Sequence, residues 1–134
     1  MRLDTFRDLC LAQPFATESL PFGPTALVFK VAGKMFALLS LDDVEATANR
    51  AAVGEATLKC DPEQAVEWRE RYAGVAPGYH MNKRHWNTVT LASDVPDAEI
   101  RQMVADAYGL VVAGLPKRHR VALEAGVDPL TDGV

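Results

Sequence analysis

Ala26-Leu27-Val28-Phe29-Lys30-Val31-Ala32-Gly33-Lys34-Met35-Phe36-Ala37-Leu38-Leu39 reads as two β-type runs joined by two residues. Branched and aromatic side chains fit a pleated surface, and a glycine in so short a connection suits a tight hairpin. An antiparallel pair therefore opens the sheet. Downstream, Ala56-Thr57-Leu58-Lys59-Cys60 fits a third strand. Two more flank the polar turn inside Tyr79-His80-Met81-Asn82-Lys83-Arg84-His85-Trp86-Asn87-Thr88-Val89-Thr90-Leu91.

Helices fall around these strands. Leu3, Phe6 and Cys10 repeat at helical spacing until Pro14 stops the run, which predicts a helix over about residues 2–13. Asp61 before Pro62, with Gln64 three residues on, is a helix-start pattern; Ala65, Trp68 and Tyr72 share the following face, and Gly74 ends it. Ile100, Met103, Val104, Ala107 and Val111 form a buried stripe that starts near Pro96 and ends at Gly114-Leu115-Pro116. Thr17 to Pro24 has loop chemistry, and the acid-rich stretch from Asp42 to Gly54 reads as a solvated turn with part of it helical. Without alternating β-α-β crossovers, the order implies an α+β fold. We expect an antiparallel sheet of about five strands with helices packed on one face. Residues 1–118 make one domain, and 119–134 a partly mobile tail.

Size and composition agree. The chain has 134 residues, 49% hydrophobic and 24% charged, which suits one globular domain rather than a disordered segment. The net charge of −4 argues against a uniformly basic nucleic-acid or membrane coat, while leaving room for a local basic patch. Cys10 and Cys60 sit apart among apolar neighbours and read as reduced, buried thiols. No apolar run is long enough for a bilayer and the first residues lack a signal-peptide pattern, so a cytoplasmic protein with no membrane partner is expected.

Enzyme signatures are missing: there is no phosphate loop, no G-x-G-x-x-G, no C-x-x-C, no H-E-x-x-H and no G-x-S-x-G. His80 and His85 with a cysteine fall short of zinc-ligand spacing, and nothing marks Cys60 as an activated partner for His80. The acids Asp4 and Asp8, and Asp42, Asp43 and Glu45, read as solvated faces. The expectation is no catalytic centre, no metal and no cofactor.

One segment stands apart. From Arg71 to Ser93 the first two cationic positions after Arg71 are Lys83 and Arg84, and no Asp or Glu intervenes. Asn82, His85, Trp86 and Asn87 surround them. Amides, cations and one large ring can clamp phosphates and stack on a base. The plainer account has Trp86 in the core, the cations solvated and the asparagines satisfying turn backbone; residue chemistry alone favours it. Lys117-Arg118-His119-Arg120, after the last long helix, is explained by the negative helix end.

Gly78-Tyr79-His80-Met81-Asn82-Lys83-Arg84-His85-Trp86-Asn87-Thr88-Val89 closely resembles the signature of the MmcQ/YjbR family. Phe29-Lys30-Val31 with Gly33-Lys34-Met35-Phe36-Ala37, Leu58-Lys59-Cys60-Asp61-Pro62-Glu63, and Tyr108 through Lys117 are similar to its hairpin, its strand-to-helix junction and its closing helix. Ala107 departs from the serine expected before that tyrosine. The resemblance implies a CyaY-like α+β fold and DNA binding through a double-wing shape. On the matching positions, Lys83, Arg84 and His85 would contact the nucleic-acid backbone, and Asn82 and Asn87 would hold the turn or touch ligand. Lys30 and Lys34 would add charge from the hairpin. The competing expectation is a protein- or small-ligand-binding module, monomeric or weakly homodimeric. What separates the two is whether Lys30, Lys34, Lys59, Lys83 and Arg84 converge in a patch on one face despite the acidic balance; cations scattered or surrounded by acids would speak against DNA.

Overall fold

The computed structural model describes residues 1–41, 54–78 and 81–130. The Asp42–Gly54 segment save its last residue, Tyr79, His80 and the last four residues lie outside the described set, and so do the readings made of them. Ten elements follow one another: α1 (Leu3–Leu11), β1 (Thr17–Ser19), β2 (Ala26–Val31), β3 (Lys34–Ser40), β4 (Glu55–Lys59), α2 (Pro62–Arg71), β5 (Val75–Pro77), β6 (Trp86–Thr90), α3 (Asp97–Ala113) and α4 (Lys117–Glu124). The strands form one six-stranded antiparallel sheet in the order β1-β2-β3-β4-β6-β5.

The expected hairpin is present. Its two turn residues, Ala32 and Gly33, have φ of 50° and 77°, the left-handed pair that matches the twist of the flanking strands. The register slips between Phe29 and Lys30, where β3 carries one extra residue. That bulge puts Phe36 and Ala37, adjacent in sequence, both into the buried cluster.

Register sorts the sheet into two faces. Leu27 and Phe29, Ala37 and Leu39, Ala56 and Leu58, Val89 and Val75 share the face on which the helices sit. Phe6, Phe29, Phe36 and Tyr108 form an aromatic chain there, with ring centroids 6.2, 6.5 and 5.6 Å apart in turn. The stripe of α3 completes this core as its spacing predicts: Ile100, Met103, Val104, Ala107 and Val111 are buried. Tyr108 also donates its hydroxyl to the Pro14 carbonyl at 2.7 Å, tying α3 to the turn after α1. The fully buried Ala107 fills its place without a hydroxyl in need of a partner. Val28, Thr57, Thr88, Lys59 and Trp86 belong to the other face.

Three elements depart from the reading of the sequence. Thr17–Ser19 is a strand, not a loop: Thr-Glu-Ser has no apolar alternation, and it pairs because β2 offers it a free edge. Glu18, opposite Phe29, points to the helix side, where Arg7 Nε donates to it at 2.7 Å. The strand expected near Met81 lies earlier, at Val75–Pro77, on the sheet's far edge, where proline's missing N–H costs no ladder bond. A further helix, Lys117–Glu124, follows Pro116; it buries no residue fully, so no stripe announces it.

At the end of the sheet reached by Thr90, Asp94 closes the turn after α2. Its carboxylate accepts from Gly74 N and Ala73 N, both at 2.7 Å. These bonds, that of Gly74 first, hold its carboxyl below the ordinary aspartate range. With the folded pKa depressed, the contribution is present above the unfolded value near 3.9 and lost as pH falls through the folded one. Asp94→Asn is therefore expected to flatten the loss of stability on acidification from about pH 5 to about pH 2. Urea midpoints across that range test it, and an acid limb as steep as that of the wild type would contradict it.

Candidate nucleic-acid interface

The ladder decides which cations meet. Ala37 lies opposite Leu58, Leu58 opposite Asn87, and Lys59 opposite Trp86. Continued in that direction, the β2–β3 hairpin tip, the end of β4 and the start of β6 come to one end of the sheet. Lys30, Lys34, Lys59, Lys83 and Arg84 are therefore brought to that end. Lys34 stands two strands from β6, or about 10 Å at the usual spacing.

They do not share one face. Lys30 and Lys59 belong to the side away from the helices, while Lys34 lies opposite Val31 at the exposed tip. Lys83 and Arg84 stand beside α2 and line a groove of about 600 Å³ with Pro62, Glu63, Val66 and Arg69. The cations thus wrap the sheet end. Among the described residues, none of the five makes an ion pair with a carboxylate. Among the described residues, acids near this end include Asp61, Glu63 and Asp106, the last lining a groove with Cys60 and Asp61. Asp61 is already engaged: its carboxylate accepts from Glu63 N at 3.2 Å and Gln64 N at 3.3 Å, capping α2 as its sequence predicts.

The turn itself is built by Asn82. Its side-chain oxygen accepts from Arg84 N at 3.0 Å and its carbonyl from His85 N at 3.1 Å, so Lys83 and Arg84 project from a closed loop. His85, half-buried, fixes the loop to β4 by accepting Cys60 N at 2.7 Å on its carbonyl. The base of the loop is narrow: Gly78 N donates to the Trp86 carbonyl at 2.8 Å, and a Cβ on Gly78 would stand 2.7 Å from Trp86 Cβ.

Two expectations about this segment change. Trp86 is neither in the helix-side core nor free to stack on a base. It is 8% exposed on the opposite face, with the Lys59 ammonium 5.5 Å from its ring centroid. Asn87 is removed from the accessible set. It is 3% exposed, accepts from Arg69 Nη1 at 2.9 Å and donates to the Ala65 carbonyl at 3.1 Å. Its register places it on the helix side beneath α2, so it fastens that helix to the sheet. Arg69 is the groove residue that sequence reasoning missed, because nothing in Glu67-Trp68-Arg69-Glu70 separates it from a solvated helix face.

Cys60 sits in a second, smaller groove with Asp61, Gln64, Asp106 and Gly109. Burial, then the negative charges of Asp61 and Asp106, push its thiol up to about 11, so it is protonated near neutrality. Among the described residues no cluster of three ligand-type side chains forms, and no helix is long and apolar enough to cross a membrane. His80, which no sequence signal pairs with Cys60, lies outside the described residues.

Known proteins share both the sequence and this architecture. The chain is 36% identical over 123 residues to the uncharacterized protein YbdF of Escherichia coli O157:H7, covering 92% of this chain and 94% of that one. It is 34% identical to the uncharacterized protein YjbR of Escherichia coli K12, covering 92% and 98%. A crystal structure of the Deinococcus radiodurans protein DR2400, of the DUF419 domain type, superposes with a TM-score of 0.78 at 34% identity, covering 98% of this chain and 92% of that one. A protein from Pseudomonas syringae matches with a TM-score of 0.67 at 29% identity, covering 82% and 98%. The YjbR family model matches residues 11–110, a span from α1 into α3 that contains the whole sheet and the cationic turn. The chain belongs to the YjbR family.

Proposed function

We propose that the protein is a DNA-binding module that holds backbone phosphates at the hairpin end of its sheet. The observation that carries the reading is the arrival of Lys30, Lys34, Lys59, Lys83 and Arg84 at that end, unpaired with carboxylates among the described residues. Cations without carboxylate partners among the described residues, on a protein of net charge −4, make a local positive field on an otherwise acidic body. Contacts of this kind position a duplex without reading its sequence. No base-reading role is assigned to Trp86, and no catalytic step is part of the reading.

Engagement of about three phosphates at once predicts a log–log salt slope near −3 and modest affinity. Fluorescence anisotropy of a labelled duplex over a salt series measures it. No binding at low salt, or binding indifferent to salt, overturns the reading. One feature favours a peptide ligand instead: Pro62 and the exposed Val66 give the cationic groove an apolar wall. Binding that survives nuclease treatment of a lysate and involves that wall would support this second reading.

A further inference from the structure

One cation in the groove is held differently from its neighbours. Lys83 and Arg84 are exposed on a turn, whereas Arg69 rises from the last turn of α2 and is half-buried. Its Nη1 donates to Asn87 Oδ1 at 2.9 Å and lies 3.5 Å from the Lys83 carbonyl. The Asn87 amide cannot turn over without losing its other bond too, since Nδ2 donates to the Ala65 carbonyl at 3.1 Å. Ala65 and Arg69 are one helical turn apart, so a single buried amide grips both the backbone and the side chain of α2. A guanidinium offers five N–H donors in a planar fork. Among the described residues Nε and Nη2 of Arg69 have no hydrogen-bond partner, and the side chain makes no ion pair.

We infer that Arg69 is the anchor for one phosphate group in this groove, and that Asn87 is the positioning residue that fixes its guanidinium. The inference deepens the DNA reading and rests on it for the source of the phosphate, a backbone phosphodiester. A guanidinium already held by the fold loses little freedom when a ligand arrives, and its fork matches two phosphate oxygens where an ammonium gives a point charge. The first amides of α2 are not the anchor, because the Asp61 carboxylate occupies them. Glu63 on the groove wall opposes any anion held by diffuse charge alone, which leaves the directed contact to decide affinity.

The test uses inorganic pyrophosphate and a labelled duplex on wild type, Arg69→Lys and Asn87→Ala. Pyrophosphate is expected to move the Arg69 Nε–Hε resonance of the wild type. Arg69→Lys keeps the charge and is expected to weaken both ligands about fivefold to tenfold with the salt slope unchanged. Asn87→Ala changes no charge and is expected to weaken them comparably; should it fail to fold, Arg69→Lys alone decides. Pyrophosphate that leaves Arg69 unmoved, or Arg69→Lys that binds like wild type, overturns the inference, even where duplex binding stands. A shifted Arg69 with no duplex binding leaves the anchor in place and removes the DNA reading.

Discussion

Phe29→Ala is expected to destabilise the protein by about 3–5 kcal/mol, the usual cost of deleting a buried aromatic ring. Phe29 has no exposed surface and stands between Phe6 of α1 and Phe36 of β3, so its loss opens a cavity bounded by two elements. A small domain has about 5–15 kcal/mol in all, and the change would remove a large share. The effect extends to the site. Phe29 borders the register slip that places Lys30 and the hairpin tip, so a repacked bulge displaces the two cations furthest from β6. Urea unfolding followed by circular dichroism tests this, and a cost below about 1 kcal/mol would contradict the assigned core.

The second large effect is electrostatic. Lys83→Glu with Arg84→Glu is expected to weaken duplex binding about a hundredfold near 50 mM salt and to flatten the salt slope from about −3 to about −1. Two phosphate contacts at about 0.9 each, taken over little more than a decade of salt below 1 M, give that figure. Stability should change by less than about 0.5 kcal/mol, because both side chains are exposed and neither pairs with a carboxylate among the described residues. A double variant that unfolds more readily by several kcal/mol would show the turn to be structural.

Local signals carried most of the architecture. The Ala32-Gly33 turn, the Asp61-Pro62 helix start and the stripe on α3 each act through residues near in sequence, and each stands where its chemistry places it. What escaped was set at long range. Thr17–Ser19 becomes a strand through the free edge of β2, and Pro77 sits in a strand through its edge position. The site divides in the same way. Asn82 as turn former is legible, since the residue bonds its own loop. The burial of Asn87 and its hold on Arg69, eighteen residues earlier, depend on α2 folding over β6, and no spacing encodes that. The expected patch on one face likewise became a band around the sheet end, because the bulge and the strand alternation put Lys30 and Lys34 on different sides.

Backbone amide chemical-shift mapping of the 15N-labelled protein with a duplex at low salt tests the central claim most directly. The account predicts shifts concentrated at residues 30–34, 59–69 and 81–86, reversed as salt is raised. Shifts centred instead on the β1 edge, on α4 or on the turn held by Asp94, or an unchanged spectrum, would contradict it.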